Sequence, residues 1–596
     1  MIAYHPPLRE MTFVLRELLD GAALLQASGH APDVIDAILD EAATMATDVL
    51  LPLNMRADEQ GCRWERGAVR TPDGFREAYR RFVAAGWTGF TAEPAHGGQG
   101  VPLIVNTVVE EMLFSSCMSF AMYPGLTRGA CTALELHGSA ELKALYIPKL
   151  VAGTWTGTMC LTESQCGSDL GLIRTRAVPA ADGSYRVAGT KIFITAGEHD
   201  LAENIVHLVL ARTPGAPPGT RGISLFVVPK LLPAVDGTPG AGNGVHCTSV
   251  EHKMGIKGCA TCTLEFVSST GWLVGELHGG LPAMFSMMNT SRLAAAVQAV
   301  GLSEIAFQSA LRYARERLQG RAVGAAPPTA ALADPIIRHA DVRKSLLTMK
   351  AWTEGIRALV LWSALHREWA GRAPDPSVRQ RADDLLQLLT PVAKALASDV
   401  AFEVANLAVQ IHGGHGYIRD HGVEQLVRDA RVIQLYEGTN GIQALDLVNR
   451  KVRAHDGRYV HALFAVLQEF TDEHDGDQQL QEFCQPLANA TAHLKEAMRA
   501  VHAQSESRPE AAGAVATELL RLLGLVTLGF LWARMAQIAC VREAGDRSGF
   551  YRAKIETARF YLQKMLPQSA ALLASINAGS DSIMRMDEAL FDAGRT

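Results

Sequence analysis

Tyr185-Arg-Val-Ala-Gly-Thr-Lys-Ile-Phe-Ile-Thr195 is the longest of several short β-rich runs in the middle of this chain of 596 residues. Loops rich in proline and glycine, at 213–222 and 232–244, separate the runs that follow it. Those runs cover residues 205–210, 223–228 and 263–267. Several short strands separated by turn signals are typical of a small barrel or sandwich. The sequence therefore predicts a β-domain between about residues 155 and 274.

Both sides of this β-rich region are predicted to be helical. Apolar residues recur at helical spacing before it, at 33–50, 73–85 and 104–120, and after it, at 283–318, 336–366, 378–409 and 428–454. The four long segments after residue 280 predict a helical bundle. A polar break at Asp456 and Gly457 begins a last helical segment that extends to about residue 590. Because helices and strands are segregated along the chain, the pattern argues against a doubly wound α/β fold.

The composition excludes several classes of protein. The chain is 48% hydrophobic and 20% charged, which is typical of a globular protein and argues against disorder or a coiled coil as the main architecture. A formal net charge of −6 gives no indication of a nucleic-acid surface. The amino terminus lacks the basic and apolar regions of a secretory signal. The most apolar stretch, 522–533, is too short to span a bilayer and predicts a buried helix.

The motifs of several common enzyme classes are missing from the sequence. It contains no G-x-G-x-x-G, no Walker A lysine loop and no G-x-S-x-G, which argues against a Rossmann dehydrogenase, a P-loop enzyme and an α/β-hydrolase. Cys259 and Cys262 form the only C-x-x-C pair of the sequence. A lone pair without a second pair or a nearby histidine pair is weak evidence for zinc.

Two glycine-containing segments have patterns that suit a ligand site. Residues 159–169 offer hydroxyls and backbone amides, which suit an anionic or heteroaromatic ligand, although an ordinary polar loop would have the same pattern. In residues 410–417, Gln-Ile-His-Gly-Gly-His-Gly-Tyr, the glycines let a backbone approach a ligand closely. The alternative is a helix end followed by a tight turn. We expect His412 and His415 to be solvated or capping residues rather than metal ligands.

Glu437, in the segment 428–443, is the candidate general base. It lies between an apolar run that ends at Tyr436 and a glycine, Gly438. A carboxylate in an apolar setting has its pKa raised towards neutrality, as a general base working near pH 7 requires. A surface glutamate at a helix break is the alternative.

Taken together and in this order, the three segments resemble the acyl-CoA dehydrogenase family over about residues 35 to 455. The same resemblance includes the strand at 191–195, the segments at 138–153, 221–229 and 253–255, and Arg292. The length and the tail after residue 456 are similar to the large subgroup of this family. The resemblance implies a mainly α fold with a central β-barrel. Its parts are an amino-terminal extension (1–34), an amino-terminal helical domain (35–155), a β-barrel domain (156–278), a four-helix bundle (279–455) and an extra helical domain (456–596).

The resemblance also implies roles for particular residues. Glu437 falls on the catalytic base; a minority of members place the base instead at the position of Ser291, which cannot serve. After Arg317 the family usually continues x-x-Phe-Gly, whereas this chain has Leu318-Gln-Gly-Arg321, a departure close to the expected FAD contacts. The expected FAD contacts are Met159, Leu161, Thr162, Ser168, Phe193, Thr195, Arg317, Gln410, Gly413, Gly414, Thr439 and Gly441. The expected thioester and CoA contacts are Ser168, Asn289, Arg292, Tyr436 and Gly438.

The expected activity is the FAD-dependent conversion of an acyl-CoA thioester to the trans-2-enoyl-CoA. By the resemblance, Glu437 takes the α-proton, flavin N5 accepts the β-hydride, and the electrons pass to an electron-transferring flavoprotein. We further expect a cytoplasmic homodimer with FAD near the subunit interface, and no metal, nucleic acid or integral membrane segment. An acyl-CoA oxidase that uses oxygen and a non-catalytic scaffold relative are the alternatives. The length and type of the acyl chain stay open.

Overall fold

A computed structural model describes residues 2–21, 29–324 and 332–595 of the chain, so residues 1 and 22–28 of the predicted extension 1–34 lie outside the described residues. The first part of the chain is helical. Its longest helix, α5, has 35 residues and a kink at Cys117, whose φ of −153° and ψ of 88° are not helical. The predicted helix at 104–120 is therefore the first part of a longer element. The helices are α1 (Leu8–Thr12), α2 (Pro32–Thr44), α3 (Asn54–Gln60), α4 (Phe75–Ala84), α5 (Leu103–His137) and α6 (Ala140–Val151).

The β-region closes into a barrel. Strand β5, which has the bounds of the predicted run, pairs with β4 and β11; β7 pairs with β11 and β6; and β6 returns to β4 at Arg212 and Arg176. The predicted central barrel is thus confirmed. The strands are β1 (Arg63–Glu65), β2 (Ala68–Arg70), β3 (Trp155–Cys160), β4 (Arg176–Pro179), β5 (Tyr185–Thr195), β6 (Asn204–Arg212), β7 (Ile223–Pro229), β8 (Leu231–Pro233), β9 (Pro239–Gly242), β10 (Val245–Val250) and β11 (Thr261–Val274). Of these, β1 with β2 and β8 with β9 form separate antiparallel pairs.

Long helices follow the barrel and pack as a bundle. They are α7 (Gly280–Glu316), α8 (Ala340–Arg372), α9 (Pro376–His412), α10 (Val423–Ile433) and α11 (Asn440–Asp446). The prediction of one continuous helix at 428–454 was wrong, because the chain leaves the helix between α10 and α11. Glu437 and Gly438 have φ of 58° and 86°, and a right-handed helix cannot continue through positive φ values. This break places Glu437 on a loop inside the bundle.

The carboxy-terminal part is a further set of helices that packs against the bundle, α15 touching α8, α9 and α11. It consists of α12 (Arg458–Glu473), α13 (Gln481–Ser507), α14 (Ala511–Ala514), α15 (Ala516–Arg542), α16 (Phe550–Phe560), α17 (Gln568–Asn577) and α18 (Asp581–Met584). The apolar stretch 522–533 is buried as predicted. The expectation that this region is too short to span a bilayer was wrong as a matter of length, because the helix that contains it, α15, has 27 residues.

Four helices of the described residues are long and apolar enough to cross a membrane by length and composition. They are α5, α7, α9 with the turn after it, and α15, and their most apolar windows are 94%, 78%, 72% and 89% buried inside the protein. Helices that pack on all sides in a large protein need the same apolar surface as helices in lipid. Most residues of these four apolar windows are thus covered by protein.

Buried charges join the parts of the molecule. The guanidinium of Arg357 on α8 donates to Glu111 of α5 at 2.6 Å and also contacts Glu304 of α7. The ammonium group of Lys554 on α16 lies 2.8 Å from Glu354 of α8 and also contacts Glu10 of α1. Such charges must be paired when they are this deeply buried. The name interior ion cluster is used below for Glu10, Glu111, Glu304, Glu354, Arg357 and Lys554.

Candidate active site

The loop between α10 and α11 holds Glu437 by its backbone. Gln443 Nε2 donates to the carbonyl of Glu437 at 3.0 Å. Lys394 Nζ donates at 2.8 Å to the carbonyl of Gly438 and at 2.8 Å to Asn440 Oδ1. Thr439 caps α11, since its hydroxyl accepts a hydrogen bond from the N–H of Ile442. The positive φ of Glu437 is therefore maintained by side chains of the surrounding bundle.

The carboxylate of Glu437 is in an apolar setting, as the sequence predicted. Its Oε2 atom is buried and has no hydrogen-bond partner among the described residues. Burial raises its pKa from 4.5 to about 7, against the opposing charges of Arg292 and Lys394. A carboxylate with this pKa is about half ionised near neutral pH and can accept a proton from a weak carbon acid.

Lys394 is a site residue that sequence reasoning missed. Its side chain is fully buried, and burial lowers its pKa to about 8 although Glu437 raises it. The signal was a single lysine within an apolar run of α9, from Val392 to Leu396. A lysine rarely occupies a core position without a partner, so this pattern could have pointed to a role.

A cavity lies against Glu437. Three of the predicted residues, Thr195, Tyr436 and Glu437, line it together, and Phe114 and Met122 of α5 contribute apolar wall. The hydroxyl of Tyr436 donates to Gln298 Oε1; Gln298 was not predicted. The cavity can hold a small, largely apolar group against the carboxylate.

Arg292 and Asn289 lie on α7 close to this site. Arg292 is buried, and its positive charge acts on Glu437. Its guanidinium lies 3.8 Å from Asp446 and donates weakly to Asn289, at 3.4 Å, while its Nε has no partner among the described residues. Asn289 is exposed. The expected contact of both residues with CoA stays a prediction.

The segment 159–169 forms a loop on the barrel that a buried carboxylate organises. Glu163 accepts hydrogen bonds from Lys191 at 2.9 Å and from the N–H groups of Arg174 and Thr175. Burial opposes ionisation of Glu163, but Lys191 and these hydrogen bonds lower its pKa to about 2. The sequence did not predict this pair. It holds the loop so that Ser168 is exposed.

Phe193 projects from β5 beside this loop. Its side chain is 60% exposed and its φ is 59°, so the strand presents an aromatic ring instead of burying it. The N–H of Ile192 donates to the carbonyl of Thr162 at 2.9 Å, which joins the loop to the strand. Met159 and Leu161 lie at the base of the loop, partly and largely buried.

The turn after α9 is open to the surroundings. A side chain at Gly413 or Gly414 would meet nothing within 4 Å among the described residues. Gln410 and Arg317 are exposed, as is Gly441 at the start of α11. None of these five residues lines the cavity beside Glu437.

The two histidines of this turn contact nearby groups of the bundle. His412 Nδ1 lies 2.7 Å from the carbonyl of Ala408, and His415 Nδ1 lies 2.8 Å from the hydroxyl of Tyr313. The ring of Tyr313 also stacks on His412 with ring centroids 4.3 Å apart.

The exposed groups fit FAD, the cofactor that the sequence implies. The exposed ring of Phe193 offers an aromatic surface for a flat ring, and the exposed Ser168 offers a hydroxyl for a hydrogen bond. The open backbone at Gly413 and Gly414 suits the phosphate-bearing part of a dinucleotide, because no Cβ atom intervenes.

Four family models match the chain. They are "Acyl-CoA dehydrogenase, N-terminal domain" at residues 33–154, "Acyl-CoA dehydrogenase, middle domain" at 158–268, "Acyl-CoA dehydrogenase, C-terminal domain" at 278–452 and "Acetyl-CoA dehydrogenase C-terminal like" at 463–587. The last match covers most of the additional helices, α13 to α17 among them.

Full-length relatives and solved structures agree with these matches. The chain is 40% identical to 3-methylmercaptopropionyl-CoA dehydrogenase of Ruegeria pomeroyi, over 98% of this chain and 99% of that one. It is 35% identical to a butyryl-CoA dehydrogenase of Syntrophomonas wolfei, over 99% of both chains. The fold is similar to that of the acyl-CoA dehydrogenase complexed with FAD from Bacillus anthracis, with a TM-score of 0.73 and 20% identity over 92% of this chain and 88% of that one. The chain belongs to the acyl-CoA dehydrogenase family and is an FAD-dependent oxidoreductase.

Proposed function

We propose that the protein oxidises an acyl-CoA thioester to the trans-2-enoyl-CoA and that Glu437 is the base that takes the α-proton. The observation that carries this proposal is the buried, unpartnered Oε2 of Glu437 at the wall of the cavity. Its pKa of about 7 allows the ionised form to exist at neutral pH and to accept a proton there. FAD, when bound, supplies the two-electron acceptor for the β-hydrogen.

The backbone of the same residue supports a second role. The N–H of Glu437 donates no hydrogen bond to any described residue. An unused donor beside the base suits the thioester carbonyl, whose oxygen gains negative charge as the α-proton leaves. Glu437 would then hold the carbonyl with its main chain and remove the proton with its side chain.

The remaining ligand contacts belong to the same proposal. FAD would contact Thr162, Ser168, Phe193 and Thr195 on the barrel. The open turn with Gly413 and Gly414, together with Gln410 and Arg317, would meet FAD of a neighbouring subunit, so we propose a homodimer. An electron-transferring flavoprotein would reoxidise the enzyme, and we expect the enzyme in the cytoplasm.

The acyl group is proposed to be short. The two full-length relatives described above are named for the 3-methylmercaptopropionyl and butyryl groups. Phe114, Met122 and Gln298 line the same cavity as Glu437, which suits a short chain with or without a thioether. A panel of saturated acyl-CoAs of increasing length would test this: bleaching that is fastest with long chains would contradict it.

Glu437→Gln is the decisive variant for the base. It removes the proton acceptor and keeps the shape of the side chain, so we expect the protein to retain FAD and to bind butyryl-CoA while turnover falls at least ~10²-fold. Glu469→Gln is the matched control, since the side chain of Glu469 is 61% exposed. Near-normal turnover of Glu437→Gln would refute the assignment. Hydrogen peroxide produced in step with substrate oxidation would indicate an oxidase instead.

A further inference from the structure

A second cavity continues from the first towards the surface. Four residues line both cavities: Leu103, Arg128, Thr290 and Arg367. The inner cavity ends at Glu437, whereas the outer one includes Arg372, whose side chain is 54% exposed. Because they share these lining residues, the two cavities adjoin, and they are called the channel below.

The outer cavity carries more positive than negative charge. The lining of the outer cavity includes three guanidinium groups and one carboxylate, those of Arg128, Arg367, Arg372 and Glu368. Even when Glu110 of the inner cavity, which pairs with Arg128, is included, the guanidinium groups of the outer cavity outnumber the carboxylates that contact them. A cavity with walls of low dielectric strengthens the field of such a charge and attracts anions.

The individual contacts identify which guanidinium is free. Arg128 pairs with Glu110, and Arg372 lies 3.6 Å from Glu368. Arg367 donates to the hydroxyl of Thr290 at 2.7 Å and has no carboxylate within 4.0 Å among the described residues. In addition, the Nε of Arg128 is buried without a partner in the described part of the chain. Both arginines therefore have donors left for a ligand.

We propose that Arg367 and Arg128 bind an anionic oxygen group of the substrate in the outer part of this channel. The proposal rests on the function proposed above, because it takes the ligand to be an acyl-CoA. Two parts of such a substrate have this chemistry: a phosphate of the CoA, or a carboxylate at the end of the acyl chain. Arginine suits either, since its planar guanidinium can donate two parallel hydrogen bonds to phosphate or carboxylate.

Arg367→Gln tests the proposal by calorimetric binding to the FAD-loaded protein, with Glu437→Gln as the parent protein so that the esters bind without being oxidised. The ligands are butyryl-CoA, butyryl-pantetheine, which lacks the phosphates, and succinyl-CoA, which adds a carboxylate. Loss of one charge-assisted contact should raise the dissociation constant roughly 10-fold or more. Arg367→Lys keeps the charge and should lose less. Arg381→Gln is the matched control, because Arg381 is about half exposed and pairs with Glu469 instead.

The three ligands distinguish a phosphate of the CoA from a carboxylate of the acyl chain as the group that Arg367 binds. If Arg367 binds a CoA phosphate, Arg367→Gln weakens both CoA esters and leaves butyryl-pantetheine unchanged. If it binds an acyl carboxylate, only succinyl-CoA is weakened. Equal weakening of all three ligands, or no change for any of them, overturns the proposal. A parent protein with Arg367 intact that binds none of the three ligands would contradict the proposed function as well. Normal binding by the parent protein together with an unaffected Arg367→Gln variant contradicts the anion site alone.

Discussion

The pH dependence of turnover is the most direct consequence of the environment of Glu437. Burial raises its pKa from 4.5 to about 7, which corresponds to about 3 kcal/mol of free energy in favour of the protonated form. A base acts only when it is deprotonated, so kcat/KM should rise with pH and level off above the pKa of the free enzyme. With a pKa of about 7, roughly one tenth of Glu437 is ionised at pH 6 and roughly nine tenths at pH 8.

The expected result is therefore a rise of about tenfold in kcat/KM between pH 6 and pH 8. An ordinary exposed glutamate would give almost none, because it is already ionised at pH 6. The assay is the initial rate of butyryl-CoA oxidation at low substrate concentration, with an artificial electron acceptor, in buffers from pH 5.5 to 9. A kcat/KM that stays within twofold between pH 6 and pH 8 would refute the reasoning.

Lys394→Met separates titration of the enzyme from titration of the substrate. The positive charge of Lys394 lowers the pKa of Glu437, so its removal should move the midpoint of the pH profile above that of the wild-type protein. Ionisation of the substrate would give the same midpoint in both proteins. Lys564→Met, at an exposed lysine, is the control and should keep the wild-type midpoint.

Two further predictions concern cofactor binding and stability. Glu163→Ala removes the carboxylate that organises the loop 159–169 and leaves Lys191 buried without its partner, so the dissociation constant of FAD should rise about tenfold. Glu203→Ala, at an exposed site of the barrel, is the control and should not change this constant. Equal FAD affinity in the wild-type protein and both variants would contradict the role of the loop. Lys554→Met should lower the free energy of unfolding by about 3 kcal/mol, because two carboxylates of the interior ion cluster lose their shared ammonium group. Denaturation midpoints compared with those of Lys564→Met measure this, and equal midpoints would contradict it.

The elements that the sequence predicted well depend on local patterns. The strand 185–195 was predicted with the bounds that it has in the fold, because its β-rich composition and the turns around it are contained in one short segment. The first bundle helix, predicted at 283–318, is Gly280–Glu316. Glu437 could also be singled out, because its apolar neighbours in sequence indicated the burial that raises its pKa.

The features that the sequence did not reveal depend on contacts between distant residues. Glu163 and Lys191 are 28 residues apart and meet only because the barrel closes. The sequence offered the helix break at Glu437 only as an alternative, because Gly438 alone is a weak signal. The loop that the break forms is held by donors from Lys394 and Gln443, which are distant or later in the chain. The apolar stretch 522–533 was expected to be too short to span a bilayer. The helix is longer than this stretch because alanine and polar residues at its ends are also good helix formers and extend α15.

The interior ion cluster has a consequence for how independent the extra helices are. A shortened chain that ends at residue 455 would lack Lys554, the ammonium group that Glu10 and Glu354 share. It would also expose the face of α8 at Gly355. Trp532 packs so closely there that a Cβ atom added at Gly355 would lie 2.9 Å from the indole nitrogen. The additional helices are thus no detachable module. Although the sequence divides the bundle from the helices after it, the two parts should unfold together in one cooperative transition.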